Sequence, residues 1–358
     1  MHRNLPILIA IAVMTAGCSS DSFTPILGCE PDNQLTPDCR FQNPEDLALT
    51  PSRRAVIVSQ FATMDGSAPG SLARLRLADA NIATFPLGPG DTSSAEPSWG
   101  DVSCSPPDPA TFAPHGIDLD IRSDGRHVLY VVNHGGRESV ELFEVKDGGA
   151  DVHLAWRGCV EGPERAYFND VVARSDGGFW ATHMMPKDSQ IWPMIKGGIF
   201  GGDTGWVYAW HPATGYAKVA GSDGPFPNGI EKSADERFLF INMYMAGEVR
   251  KLDLVSGKVV ASAEVASPDN LTWSDDDDLL VASHTAGLSQ QMECQSLEAG
   301  SCGFKFEIVR LDPERMTASV VVSNQGAPMG AATVALQVGN ELLLGTFAGD
   351  RIARFSLK

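Results

Sequence analysis

The chain of 358 residues carries 27 Lys and Arg against 45 Asp and Glu, a formal net charge of -18, with 43% hydrophobic and 20% charged residues. That is the composition of a folded globular protein, long enough for one large core or two ordinary ones. The acidity argues against a nucleic-acid partner, whose phosphates need a basic surface, and against electrostatic adhesion to anionic lipid, while it tolerates bound cations.

Residues 1–17 read as a targeting signal. Arg3 supplies a positive start, and Leu5 to Val13 is an apolar run too short to span a bilayer. The segment Met14-Thr15-Ala16-Gly17-Cys18-Ser19-Ser20 resembles a bacterial lipobox, with Thr15 where Leu is usual. Cys18 is then expected to become a lipid-bearing first residue, and the protein to be exported to the periplasm or outer membrane. The alternative is an ordinary secretory signal cut nearby. No later run is long and apolar enough to span a membrane, so this anchor is the only membrane link expected. Residues 18–40, rich in Ser, Pro and Asp, read as an exposed tether, and residues 41–358 as one domain, since no linker divides them. Beyond Cys18 there are six cysteines, an even count that points to disulfides in an exported protein. Short loops favour Cys29–Cys39 and Cys294–Cys302, which leaves Cys104–Cys159.

Six stretches then share one design: Glu45-Asp46-Leu47, His115-Gly116-Ile117, Asn169-Asp170-Val171, Asn228-Gly229-Ile230, Asp269-Asn270-Leu271 and Gly330-Ala331-Ala332. Each opens on polar or small residues and continues through an apolar segment, a turn and an apolar strand. Ser123-Asp124-Gly125, Ser175-Asp176-Gly177 and Gly339-Asn340 are such turns, and Asp275 to Asp278 reads as another, solvated one. A further strand of alternating residues follows each hairpin, as in Val249-Arg250-Lys251-Leu252-Asp253-Leu254. Helical periodicity is scarce. Six units of about four strands predict an all-β, six-bladed β-propeller with a central channel. A β-sandwich would leave the repeated openings unexplained. In a propeller those openings become neighbours, so Glu45, Asn169, Asn228, Asp269 and Asn270 direct oxygens at the axis. Two carboxylates with amide carbonyls are donors for calcium, whereas zinc and copper prefer nitrogen and sulfur. Asn270-Leu271-Thr272 matches a glycosylation sequon, but a channel ligand could not carry a glycan.

Phe168-Asn169-Asp170-Val171-Val172, Pro227-Asn228-Gly229-Ile230, Asp269-Asn270, Pro114-His115-Gly116-Ile117 and Val131-Val132-Asn133-His134 with Ser139-Val140-Glu141-Leu142-Phe143 resemble the paraoxonase/arylesterase family of calcium-dependent lactonases. The resemblance runs from about residue 43 to the end. It implies two stacked calcium ions: Glu45, Asn169, Asn228, Asp269 and Asn270 on the catalytic one, and Asp46, Asp170 and the main-chain carbonyl of Ile117 on a deeper structural one. It also implies a dyad of His115 and His134, with His115 taking a proton from water and Asp269 as the rival base. His183 and His284 end equivalent strands and are expected to line the rim without catalysing.

The chain departs from that family in three places. No cysteine follows Cys302 to join the first and last blades, so closure must rest on strand pairing. The loop Phe61-Ala62-Thr63-Met64 lacks the family's tyrosine. Met185 to Thr204, with Ile191-Trp192-Pro193-Met194-Ile195 and two Gly-Gly pairs, stands where the family has an apolar lid. The expected activity is hydrolysis of a small-molecule lactone or aryl ester. The alternatives are a sugar lactonase of the senescence-marker/gluconolactonase type and a non-catalytic calcium-stabilised propeller that binds a partner.

Overall fold

Alternation along each segment buries one face, and the Asp-Gly type turns fold successive segments back on one another. The structure, a computed structural model, describes residues 24–357 except 64–65, 88–94, 97, 102, 150 and 190–200. The signal 1–17, Cys18, Met64, Ile191–Ile195, Gly197 and Gly198 lie outside the described residues. Among those described there are 24 strands and one short helix, Leu288–Cys294. They form six four-stranded antiparallel sheets. The first strand of each sheet, in order Pro44–Leu49, Pro114–Ile121, Phe168–Ala173, Pro227–Lys232, Pro268–Trp273 and Ala332–Val338, packs beside that of the next blade, and the sixth returns to the first. This is the six-bladed propeller that the repeats predict.

The core is divided among the blade interfaces. Between blades one and two lie Ile57, Leu72, Phe112, Leu129, Phe143 and Trp156. Between blades six and one lie Leu47, Val56, Val58, Val334, Leu343 and Ile352. Fully burying a side chain of that size contributes about 1.5–3 kcal/mol. Side chains at the strand openings then staple blade to blade. Asp46 Oδ2 accepts the Ile117 N–H at 2.7 Å, Asp118 Oδ2 the Ala173 N–H at 2.7 Å, and Asp170 Oδ2 the Ile230 N–H at 2.9 Å. Thr333 Oγ1 donates to the Glu45 carbonyl at 2.7 Å, tying blade six to blade one.

Closure rests on strand pairing, as the missing cysteine requires. Leu35–Asp38 pairs antiparallel with Ile352–Ser356 as the outer strand of blade six, Leu35 opposite Phe355 and Asp38 opposite Ile352. The tether therefore ends earlier than residue 40. Leu35 is wholly buried, and Ile26 bridges to Ser301. Buried Arg351 donates to the carbonyls of Ile26, Gly28 and Pro328 at 2.7–2.8 Å. Polar composition hid this segment because one leucine and backbone pairing do the anchoring. The three disulfides are Cys29–Cys39, Cys104–Cys159 and Cys294–Cys302.

Candidate active site

Each inner strand breaks register with its neighbour where it opens: between Pro44 and Asp46, Pro114 and Ile117, Phe168 and Val171, Pro227 and Ile230, Pro268 and Leu271, and Ala332 and Val334. A bulge of this kind bends the strand and re-aims its side chains. The doublets Asn169-Asp170 and Asp269-Asn270 sit inside these bulges, so adjacent residues can both serve the channel instead of alternating across the sheet. Two glycines permit the close approach that follows. A Cβ on Gly116 would stand 2.6 Å from the Cα of Asp170, and one on Gly229 would stand 2.8 Å from the Cα of Asn270.

The five residues expected around the first ion are all 6% exposed or less. Asn270 Nδ2 donates to Glu45 Oε1 at 2.7 Å, and Asn228 bonds the Asp269 carboxylate. His115 Nε2 stands 3.7 Å from Glu45 Oε1. Asn169, on the strand against which Gly116 packs, donates through Nδ2 to Met184 Sδ at 3.3 Å. Buried Glu45 Oε2 and the Oδ1 atoms of Asn169, Asn228 and Asn270 have no hydrogen-bond partner. An unpartnered buried oxygen costs about 1–3 kcal/mol, so four of them, one on each of four inner strands, form a set that a hard cation would satisfy. Among the described residues no three His, Cys, Asp or Glu side chains gather into a metal-holding cluster. The fit rests on the amides as much as on the acids.

The residues expected around the deeper ion, Asp46, Ile117 and Asp170, line one cavity. Asp46 takes the N–H groups of Leu47 and Ile117, and Asp170 those of Val171 and Ile230. Ile117 thus meets Asp46 through its N–H. These acids line a cavity of about 150 Å³ together with Asp118 and Glu231, two acids that the sequence reading left out because they look like ordinary strand residues.

Burial, then the like charges of Asp46 and Asp269, holds the Glu45 carboxyl well above the usual range. Burial pushes Asp269 up to about 8 against the hydrogen bond from Asn228. Asp46 is pushed up to about 7 by burial, and Asp170 well above its usual value by burial and by Asp46. All four favour a bound proton or a bound cation. Burial and then His134 hold His115 well below the usual histidine value, so it is neutral at neutral pH.

The two expected histidines meet. His115 Nδ1 lies 3.0 Å from His134 Nε2. His134 Nδ1 lies 3.0 Å from Glu138 Oε1, a contact that the sequence reading missed because Arg137-Glu138 looks like a solvated turn. The His134 ring lies between those of Phe61, at 5.9 Å, and Tyr167, at 4.7 Å. His183 and His284 are buried and do not line the rim. His183 Nδ1 accepts the Tyr167 N–H at 3.1 Å and packs on Trp206. His284 Nε2 is 2.9 Å from the Ala332 carbonyl and 3.4 Å from Asp269 Oδ2. Tyr244, Phe304 and Phe347 surround its ring.

The arylesterase family model matches residues 41–352, which hold the inner strands of all six blades. The chain belongs to the arylesterase family. It is 25% identical to human serum paraoxonase/lactonase 3 over 315 residues, 84% of this chain and 82% of that one. Bovine serum paraoxonase/arylesterase 2 is 23% identical over 244 residues, 66% and 67% of the two chains. Among solved structures, a putative gluconolactonase superposes with a TM-score of 0.52 at 14% identity, covering 90% of this chain and 91% of its own. A gluconolactonase from Xanthomonas campestris gives a TM-score of 0.51 at 17% identity, covering 94% of each chain. These likenesses speak for the propeller fold alone, and membership of the family rests on the sequence match.

Proposed function

We propose that this arylesterase-family chain hydrolyses lactones and aryl esters with calcium held by Glu45, Asn169, Asn228, Asp269 and Asn270. The observation that carries the reading is the set of four unpartnered buried oxygens beside a neutral imidazole. Calcium bound there would polarise the ester carbonyl and stabilise oxyanion charge. His115, neutral and facing Glu45 through Nε2, is the base that takes a proton from the attacking water, and His134 backs it. Asp269 is the rival base, but its hydrogen bond from Asn228 and its place in the ligand set commit it to the ion. Phe61, Tyr167, Phe226, Tyr244 and Phe347 stand near these groups and favour an apolar or aromatic acyl partner. A second ion, held by Asp46 and Asp170, would relieve the repulsion between those two acids. The three disulfides fit an oxidising compartment, and with Cys18 as lipid anchor the domain would face the bacterial periplasm.

The test is an assay of the calcium-loaded protein on phenyl acetate, acyl homoserine lactones and gluconolactone. Aryl ester and apolar lactone turnover that chelator abolishes and calcium restores is the expected result, with Asp269→Asn and Asn228→Ala inactive. Undiminished turnover in chelator would reject the metal mechanism. Preference for gluconolactone would move the substrate class to sugar lactones, and calcium binding without turnover would make the propeller a binding protein.

A further inference from the structure

Glu138 lies 21 positions from Ile117 and 31 from Asn169, the nearest residues named as calcium ligands, yet its carboxylate gathers three parts of the channel wall. Oε1 accepts the Phe168 N–H at 2.7 Å, beside Asn169, and faces His134 Nδ1 at 3.0 Å. Oε2 faces the same Nδ1 at 3.1 Å and accepts from Lys187 Nζ at 2.9 Å. An ionised carboxylate has about four acceptor positions and no proton to give. Three donors meet it here, the Phe168 N–H, the Lys187 ammonium and the His134 Nδ1 shared by both oxygens, and a protonated carboxyl would forfeit one of these contacts. His134 Nδ1 must therefore carry its hydrogen. Its Nε2 is then the bare nitrogen, and the 3.0 Å contact requires that His115 Nδ1 donate to it. By elimination, the lone pair of neutral His115 is on Nε2, the atom that faces Glu45.

We propose that Glu138 is the positioning residue that sets the proton polarity of the histidine pair and keeps the His115 Nε2 lone pair turned to the channel. The assignment of its effect on rate rests on the function proposed above; the assignment of the tautomer does not. In the reaction, water gives its proton to His115 Nε2, and the His115 Nδ1 proton passes to His134 Nε2. His115 is left neutral in its other tautomer, and the positive charge rests on His134 against the Glu138 carboxylate. The ionisable groups around the pair are Glu138, Lys187 behind it, Glu45, Tyr167 and His183, which feels Glu138 across the wall. None but Glu138 makes a hydrogen bond to His134 Nδ1 among the described residues.

Nitrogen-15 spectra of ring-labelled histidine in the full chain read the polarity directly, with His134→Gln and His115→Gln to assign the signals. The wild type should show His134 protonated on Nδ1 and bare on Nε2. Glu138→Leu should erase that preference and lower kcat about 10- to 100-fold, with KM changed less than about threefold. Glu138→Gln keeps an oxygen for Phe168 and His134 but loses the charge, so it should hold the tautomer and recover part of the rate. It also guards against misfolding of the Leu variant. A wild-type His134 protonated on Nε2, or Glu138→Leu turning over at the wild-type rate, would overturn the assignment. If the wild type hydrolyses no lactone or aryl ester, the proposed function fails and the nitrogen-15 result alone decides the role of Glu138.

Discussion

Two histidines, His115 and His284, stand within 4 Å of a carboxylate proposed to hold calcium, the first partly exposed and the second buried. Their backing separates them. His115 leans through Nδ1 on another imidazole, which leans on Glu138, so its Nε2 is bare where it meets Glu45. His284 meets Asp269 with the same atom, but that Nε2 also lies 2.9 Å from the Ala332 carbonyl, which can only accept. Its proton is therefore on Nε2, and the ring cannot take another there. Burial holds its pKa down at about 4 against the Ala332 hydrogen bond. One residue type thus becomes a base on one wall and a spacer on the other, by the group placed behind it.

The sharpest break in this comparison is to remove each base in turn. His115→Gln should lower kcat about 10²- to 10⁴-fold, the range of a positioned proton acceptor. The wild-type rate should fall in acid as His115 becomes protonated, below the usual histidine range because its pKa is depressed, and stay level above it. That acid limb should vanish in His115→Gln. A retained limb would shift the role of base to another group.

Calcium removal tests the carboxylates that both histidines face. With Asp46 at about 7, Asp269 at about 8 and Glu45 and Asp170 well above normal, the ion-free folded chain holds protons that the unfolded chain has lost. Its stability should therefore fall as pH rises from about 4 through about 8. Calcium at a hundredfold excess over Kd should restore about 2.7 kcal/mol. Thermal unfolding at pH 5 and pH 8, with and without chelator, reads both. A chelated protein equally stable at the two pH values would show that burial does not hold these acids protonated.

The smallest effect belongs to the other wall. His284→Gln, whose side-chain N–H can still reach the Ala332 carbonyl, should change kcat less than about tenfold and leave the acid limb in place. A loss equal to that of His115→Gln would erase the distinction between the two walls.

Much of this was legible in the chain. Repeated openings such as Asn228-Gly229-Ile230 announce the blades, and the hairpin turns mark where their strands reverse. Glu45, Asn270, Asn228 and Asp269 do meet although 225 positions separate the first pair. Glu138 was hidden because a charged residue after a glycine turn looks solvated until the third blade covers it. His183 and His284 were misplaced at the rim for the converse reason: strand ends look exposed until neighbouring loops close over them. Leu35–Asp38 reads as tether in the sequence because four residues carry too little pattern to declare a strand.

The sequence by itself determined the number of blades, the donor chemistry and the pairing of cysteines, since period, residue type and loop length are local properties. Tertiary structure alone decided which imidazole has a free lone pair, which acids oppose one another and where the ring closes. Those depend on groups brought from distant blades to within hydrogen-bonding distance, and no local pattern records what will stand behind a side chain once the ring is shut.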